Sequence, residues 1–264
     1  MKIFIIAMDD PLYINKFLKE IIDNKKKQLV GFALVENKGR MTLNKKQSKI
    51  VYLFSLLLIM GFIRFSINVF KTLKYNLLVY LGNHTDIIKS PSIIDYANSK
   101  GIDTFKTINP NNNLFLDILK DKAPDVIINQ SMSIIKNELL SVPSIGILNR
   151  HNALLPKNRG RLTPFWVIYK KEIETGVSIH FLDKKIDSGD IVIQKKYKVN
   201  KKDNFNTLVD KNYKIASIAM IEALDKLESN DFELIENKDL DSTYNSLPTF
   251  KNAIIYRLRR IFYY

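Results

Sequence analysis

Apolar and polar positions alternate in blocks along the first half of the chain. Residues 3–8 (Ile-Phe-Ile-Ile-Ala-Met) form a run of the length expected for a strand buried on both faces. Residues 12–24 then switch to helical spacing, with Leu12, Phe17, Leu18 and Ile21 near one face. A second strand is expected over 28–35, and a short apolar run from Leu77 to Leu81 ends at a Gly82-Asn83 turn. Ser90 as cap and Pro91 at the first helical position open a helix that Gly101 closes. Strand 104–108, helix 112–121, strand 125–129, helix 133–140 and strand 144–148 follow. This alternation predicts an α/β fold: a Rossmann-like, mostly parallel sheet with helices on both faces. Ligands in such folds bind at the carboxyl ends of the strands. Neither GxGxxG nor a P-loop is present, so the standard dinucleotide and nucleoside-triphosphate fingerprints are excluded.

The second half has a different rhythm. A polar, proline-containing loop follows residue 149, and a helix is expected over 163–171. Val177–Leu182 and Ile191–Gln194 read as two strands around a tight Asp-Ser-Gly-Asp turn. Asp203 can cap a long helix over 204–228, with Leu208, Ile215, Ala219, Ala223 and Leu227 on one side. The remainder is mixed and ends basic and aromatic.

One segment breaks the alternation. Residues 50–63 carry no charge, Phe65 to Phe70 continues apolar, and Lys45, Lys46, Lys49, Lys71 and Lys74 flank the stretch. An uninterrupted run of this length falls short of the roughly 20 residues a membrane span needs. It predicts an apolar helical insertion near 45–75, buried in the core or in a homodimer interface. The alternatives are a helix lying on an anionic membrane surface and a true span.

Composition narrows the chemistry. The 264 residues fit one large domain, or one domain with a small appendage. With no cysteine, disulfides, thiol catalysis and cysteine-ligated metals are excluded, which suits a reducing cytoplasm. The histidines, His84, His151 and His180, lack metal-ligand spacing, so no metal is expected. Asp9 and Asp10 follow the first apolar run immediately, which argues against a signal peptide. The formal charge of +14 fits a solvated lysine-rich surface, or attraction to an anionic substrate, membrane or nucleic acid.

The densest polar cluster is Asn149-Arg150-His151-Asn152-Ala153-Leu154-Leu155-Pro156, just past a buried strand. Asp187-Ser188-Gly189-Asp190 comes later, at a turn between strands. An amide, an imidazole and a carboxylate converging at one sheet edge are the groups that acyl transfer to an amine requires. The amide donates to the developing oxyanion, the imidazole handles protons, and the carboxylate orients it. Plainer readings make Asp187 and Asp190 turn formers, His180 a packed strand residue and His84 a surface residue. Trp166 would then anchor a helix to the core.

Asn149-x-His151-x-Ala-Leu-Leu-Pro156, Arg159-Gly160-Arg161, Pro164, Trp166, Thr175-Gly176-Val177 and Asp187-Ser188-Gly189-Asp190 closely resemble the motifs of the folate-dependent formyltransferases. That family includes methionyl-tRNA, glycinamide ribonucleotide and sugar N-formyltransferases. The resemblance is strongest over 123–198 and extends to 1–36 and 90–122. It implies the formyltransferase fold, N10-formyltetrahydrofolate as co-substrate and no metal. It implies Asn149, His151 and Asp187 as catalytic residues. It implies a donor site built from Asn129, Gln130, Ser131, Ile134, Ile135, Leu155, Asp183 and Ile186. Arg159, Arg161 and Trp166 become candidates for the acceptor. Ala153 departs from the family's usual serine. A catalytic domain is expected over 1–230, with its insertion at about 40–75. A short tail over 231–264 is too small for the barrel domain of methionyl-tRNA formyltransferases. The expected acceptor is therefore the amine of a nucleotide-linked amino sugar used in surface-glycan (lipopolysaccharide) biosynthesis. The expected location is cytoplasmic, with peripheral contact at the inner membrane face, and no nucleic-acid partner is expected. A methionyl-tRNA formyltransferase lacking its C-terminal domain, a formyl-folate hydrolase and a non-catalytic scaffold remain as alternatives.

Overall fold

The computed structural model describes residues 1–36, 48–85 and 87–262. Among them the strands are β1 (Ile3–Ala7), β2 (Leu29–Val35), β3 (Thr104–Thr107), β4 (Val126–Gln130), β5 (Gly146–His151), β6 (Arg159–Gly160), β7 (Glu174–Phe181), β8 (Ile191–Lys198) and β9 (Tyr244–Asn245). The helices are α1 (Ile14–Lys25), α2 (Lys49–Met60), α3 (Phe62–His84), α4 (Ile93–Ser99), α5 (Asn113–Lys122), α6 (Asn137–Leu140), α7 (Thr163–Tyr169), α8 (Phe205–Ser229) and α9 (Phe250–Phe262).

Seven strands form one sheet in the order β3-β2-β1-β4-β5-β7-β8. The first five run parallel, and β7 and β8 close the edge antiparallel. The apolar runs behave as parallel strands should, since each must bury both faces. Every residue of β1 and β4 is buried. Ile3, Ile5, Val126 and Ile128 pack with α1, α4 and α8, while Phe4, Ile6 and Ile127 pack with α5 and α6. The connections leave β1 in opposite directions along the sheet, toward β2 and toward β4. This switch point opens a crevice at the carboxyl ends of the strands.

Several local expectations change in the folded chain. The run Leu77–Leu81 is the last part of α3, because it continues a helical register begun at Phe62. Helix α4 starts at Ile93 after Ser92, leaving Pro91 outside, and Ser90 Oγ accepts from Ser92 N. The helix expected over 133–140 shrinks to α6, and the freed residues form a loop at the crevice. Asn204, not Asp203, caps α8 in a reciprocal capping box with Thr207, while Asp203 binds Lys211. Strand β5 runs on through His151, so Asn149 and His151 belong to a strand and not to the loop after it.

The apolar stretch forms two helices, α2 and α3, broken at Gly61, whose φ of +80° suits a residue without Cβ. Helix α2 buries only Tyr52, Ser55 and Ile59. Ile59 joins a small core with Phe165, Phe205, Val209, Ala253 and Tyr256, which seats α9 against the body. No helix among the described residues is long and apolar enough to cross a membrane. Lys45 and Lys46 lie outside the described residues.

Candidate active site

The strand register assembles the polar residues. In β5 the period of two places Asn149 and His151 on one face and Arg150 on the other. Asn149 lies opposite His180 of β7, and His151 lies opposite Ser178. Val177 and Ile179 point into the core shared with α8, so Ser178 and His180 share the face of Asn149 and His151.

Arg150 holds the reverse side. Its Nε donates to Gln130 Oε1 at 3.1 Å, its Nη1 to Asn152 Oδ1 at 2.5 Å and its Nη2 to the Tyr213 hydroxyl at 2.9 Å. The guanidinium also lies 4.2 Å from the Tyr213 ring centroid. With its oxygen so engaged, Gln130 turns its amide N–H groups to Asn129 O (2.7 Å) and Asn149 Oδ1 (3.3 Å). The Asn149 oxygen thus serves as an acceptor, and its Nδ2 is left to donate into the crevice.

Asp187 sits in the loop between β7 and β8 with φ of +51°, a conformation aspartate tolerates better than most residues. Its Oδ2 accepts from Gly160 N at 2.8 Å and lies 3.5 Å from His151 Nδ1. Its Oδ1 lies 3.7 Å from His180 Nε2. The other edge of the His151 ring is fixed, with Nε2 donating to Asn158 O at 2.8 Å. His151 therefore faces a carbonyl acceptor at one nitrogen and the Asp187 carboxylate at the other.

The tail braces this loop. Asn237 Nδ2 donates to the carbonyls of Asp187 (2.8 Å) and Gly189 (2.9 Å). The buried Arg159 Nη2 donates to Asn237 O and Oδ1, both at 2.9 Å. Strand β9 pairs with β6 so closely that a Cβ on Gly160 would lie 2.2 Å from Asn245 O, and the φ of +98° also demands glycine.

His180 is the residue the sequence reading undervalued. It is packed in a strand as expected, but it is fully buried beside the carboxylate, and its Nε2 has no hydrogen-bond partner. Burial drives its pKa down to about 4, against the opposing pull of Asp187. The signal was present in the strand: polar Ser178 and His180 alternate with Val177 and Ile179.

Asn149, Gly160 and Asp187 line a cleft of about 470 Å³, within the usual range for small-molecule sites, and His151 and His180 are buried behind its wall. Of the residues expected at the donor, Asn129, Ser131, Ile134, Ile135, Asp183 and Ile186 line it. Gln130 instead supports Asn149 from behind, and Leu155 is buried, its backbone bonded to Ser178 and Gln194. Of the acceptor candidates, Arg161 lines the cleft. Arg159 and Trp166 serve the tail, Trp166 donating from Nε1 to Ser246 O. Lys184 and Lys185, within the loop 183–187 that the resemblance assigns to the donor, also line the cleft, as do Tyr244, Ser246 and Leu247 of the tail, which no sequence pattern indicates.

At the end of β1, Asp10 accepts from Leu12 N (2.9 Å) and Ile14 N (3.4 Å), filling the N-terminus of α1 with the chain's own carboxyl group. Burial raises the pKa of Asp10, opposed by those two bonds and by Arg150. Among the described residues no group of three or more His, Asp or Glu is placed to hold a metal ion.

Comparison with known proteins identifies the family and the fold. A family model described as formyl transferase matches residues 89–224, just over half of the chain. The methionyl-tRNA formyltransferase of Caldanaerobacter subterraneus subsp. tengcongensis is 34% identical over 140 residues, covering 53% of this chain and 45% of that protein. The chain spans about half the length of the curated relatives it matches. In fold it is similar to glycinamide ribonucleotide transformylase 1 from Symbiobacterium toebii, with TM-score 0.59, 14% identity and coverage of 87% and 88% of the two chains. It is also similar to the N-formyltransferase from Helicobacter canadensis in complex with folinic acid and dTDP-3-aminofucose, with TM-score 0.56, 19% identity and coverage of 94% and 71%. The family match over half of the chain and the parallel sheet agree: the chain belongs to the folate-dependent formyltransferase family.

Proposed function

We propose that this protein transfers the formyl group of N10-formyltetrahydrofolate to the amine of a nucleotide-linked amino sugar. The observation that carries the reaction type is the meeting of Asn149, His151 and Asp187 at the ends of β5 and the β7–β8 loop. The cleft beside them fits a folate. Its size suits a small molecule, and its rim exposes Met132, Ile134 and Ile186, apolar side chains against which a flat heterocycle can pack. When bound, the donor supplies the electrophilic formyl carbon.

The chain's residues then divide the work. Asn149 Nδ2, oriented by Gln130, donates to the oxygen that gains negative charge as the amine attacks. His151, fixed by Asn158 O, supplies positive charge and a proton at Nδ1. Nδ1 faces Asp187 Oδ2 at 3.5 Å, so its proton reaches the substrate by way of Asp187, which lines the cleft. Asp187 holds the imidazolium in place and accepts the proton the amine must lose. The new N–C bond forms, the bond to N10 breaks, and N10 takes up a proton. The attacking amine is the nucleophile, so no serine or cysteine is required.

The acceptor reading rests on charge and on position. Asp10 fills the N-terminus of α1, where a doubly wound fold otherwise offers a ready anion site. The cations bordering the cleft are Arg161, Lys184 and Lys185, and Tyr244 presents a ring beside them. A diphosphate suits those cations, and a sugar or base suits the ring. The sugar N-formyltransferase similar in fold was crystallised with a dTDP-amino sugar, which supports the same class here. Because β9 and Asn237 complete the site, we treat 1–230 and 231–264 as one functional unit. The reading also includes work at the inner, anionic face of a membrane, where surface-glycan precursors are assembled.

The test is an acceptor panel. Purified protein is incubated with N10-formyltetrahydrofolate and nucleotide-linked amino sugars, initiator methionyl-tRNA or glycinamide ribonucleotide, and each acceptor is weighed by mass spectrometry. A gain of one formyl group on an amino sugar is expected. Formylation of methionyl-tRNA alone would replace this acceptor with that of the sequence relatives. Tetrahydrofolate release with no acceptor present would make the protein a hydrolase.

A further inference from the structure

The outer face of α3 repeats apolar residues at helical spacing, yet nothing described covers them. Ile63, Ile67, Phe70, Leu73, Leu77 and Tyr80 follow one another at intervals of three or four and are 44–75% exposed. Phe62, at the Gly61 corner, is 74% exposed, and α2 adds Ile50, Leu53 and Phe54, each more than half exposed. Contiguous apolar surface on this scale marks an interaction site.

Charge identifies the partner. Residues 48–85 contain no Asp or Glu, but they contain Lys49, Arg64, Lys71 and Lys74. Helix α9, packed on α2, also has no acid and carries Arg257, Arg259 and Arg260. The Arg257 guanidinium lies 3.4 Å from where a Cβ on Gly61 would stand, so this cation sits at the apolar corner. Arg64 is neutralised by Asp210 at 2.6 Å, whereas Lys71 and Lys74 are exposed beside Phe70 and Leu73. A second copy of the chain would fit poorly. A two-fold pairing along this stripe centres near residues 71–74, bringing lysines toward lysines with no acid on α3 to answer them. An anionic lipid surface answers both features, taking the apolar side chains between its headgroups and the lysines against its phosphates.

We infer that the α2–α3 pair, with Arg257 at its Gly61 corner, forms a docking surface for an anionic membrane, independent of which amine the enzyme formylates. The binding is peripheral, since neither helix is long and apolar enough to span. Each cation near an anionic leaflet contributes about a fivefold gain in partitioning. Lys71→Glu/Lys74→Glu is therefore expected to lower vesicle binding by roughly 25-fold or more, and Phe70→Asp/Leu73→Asp to remove most of the remainder.

The test is flotation of the full chain with vesicles of phosphatidylcholine alone, or phosphatidylcholine with one-third phosphatidylglycerol. Sedimentation velocity and tetrahydrofolate release are followed in parallel. The expected result is flotation with the anionic vesicles only, lost in both double variants, with turnover in solution unchanged because α3 lies outside the catalytic cleft. Absence of flotation by the folded, active wild type would overturn the inference. So would a stable dimer that Phe70→Asp/Leu73→Asp converts to monomer.

Discussion

The ends of β4 and β5 and the outer side of α3 break opposite rules. At the strand ends, polar groups are buried: His151, His180, Asn129 and Gln130 are all at most 5% exposed. On α3, large apolar side chains face outward. A buried polar group costs free energy unless it is bonded, and the strand-end network meets that cost through Gln130, Asn158, Gly160 and Asn237 everywhere but at His180 Nε2, which stays unpartnered. An exposed apolar stripe costs solubility and is retained where a partner covers it. The first region is therefore built for chemistry and the second for contact, and substitutions should separate them.

The largest effects belong to the strand ends. His151→Ala or Asp187→Ala should lower turnover about 10²–10⁴-fold while leaving the circular-dichroism spectrum intact. A variant retaining near-normal turnover would remove that residue from the mechanism. Asn149→Ala should cost about 10²–10³-fold in kcat, with a smaller change in KM, because its donor acts on the developing charge.

Next comes the brace. Gly160→Ala forces a Cβ into a φ of +98° and against Asn245 O, so β6 and β9 must part. A loss of roughly 1–3 kcal/mol is expected, read as a lowered urea midpoint, with activity falling as Asp187 loses its bond from Gly160 N. An unchanged midpoint would mean that the tail does not depend on this close approach.

His180 gives a pH signature. In the unfolded chain it binds a proton below about 6.5; in the fold it remains neutral down to about 4. Above pH 6.5 it is neutral in both states and contributes no slope. Between the two values the unfolded state holds more protons, so stability falls as pH falls through that window. Urea midpoints at pH 7.5 and 5 should differ for this reason, and His180→Asn should reduce the difference. An equal slope in the variant would assign the pH dependence elsewhere.

The smallest effect sharpens the contrast. Phe70→Asp should change folding stability by no more than about 0.5 kcal/mol and leave turnover untouched, since its side chain already faces outward. A large loss of stability would mean that α3 packs more tightly than its exposure implies.

Much of the sheet was legible because buried parallel strands leave short uninterrupted apolar runs, as in Ile3–Ala7 and Val126–Gln130. The site was legible where its motif is local: Asn149 and His151 are two residues apart, and Asp187 sits in a turn that names itself by composition. The placement of His180 beside Asp187 was hidden because it depends on pairing with Asn149 across two strands, and that of Tyr244 and Asn237 because a tail packs where no local pattern directs it. Leu77–Leu81 misled because a short apolar run has no period of its own; only its continuity with Phe62–Tyr75 makes it helical. The apolar character of α2 and α3 was plain in the sequence, but which side would be left uncovered is decided by how little of the body reaches them.

The most direct test measures tetrahydrofolate release from N10-formyltetrahydrofolate by the wild type and by the Asn149→Ala, His151→Ala and Asp187→Ala variants, with and without a nucleotide-linked amino sugar. The account predicts release that requires the sugar, matches the formylated sugar formed mole for mole, and collapses in all three variants. Release that ignores the amine, or that survives in the variants, would contradict it.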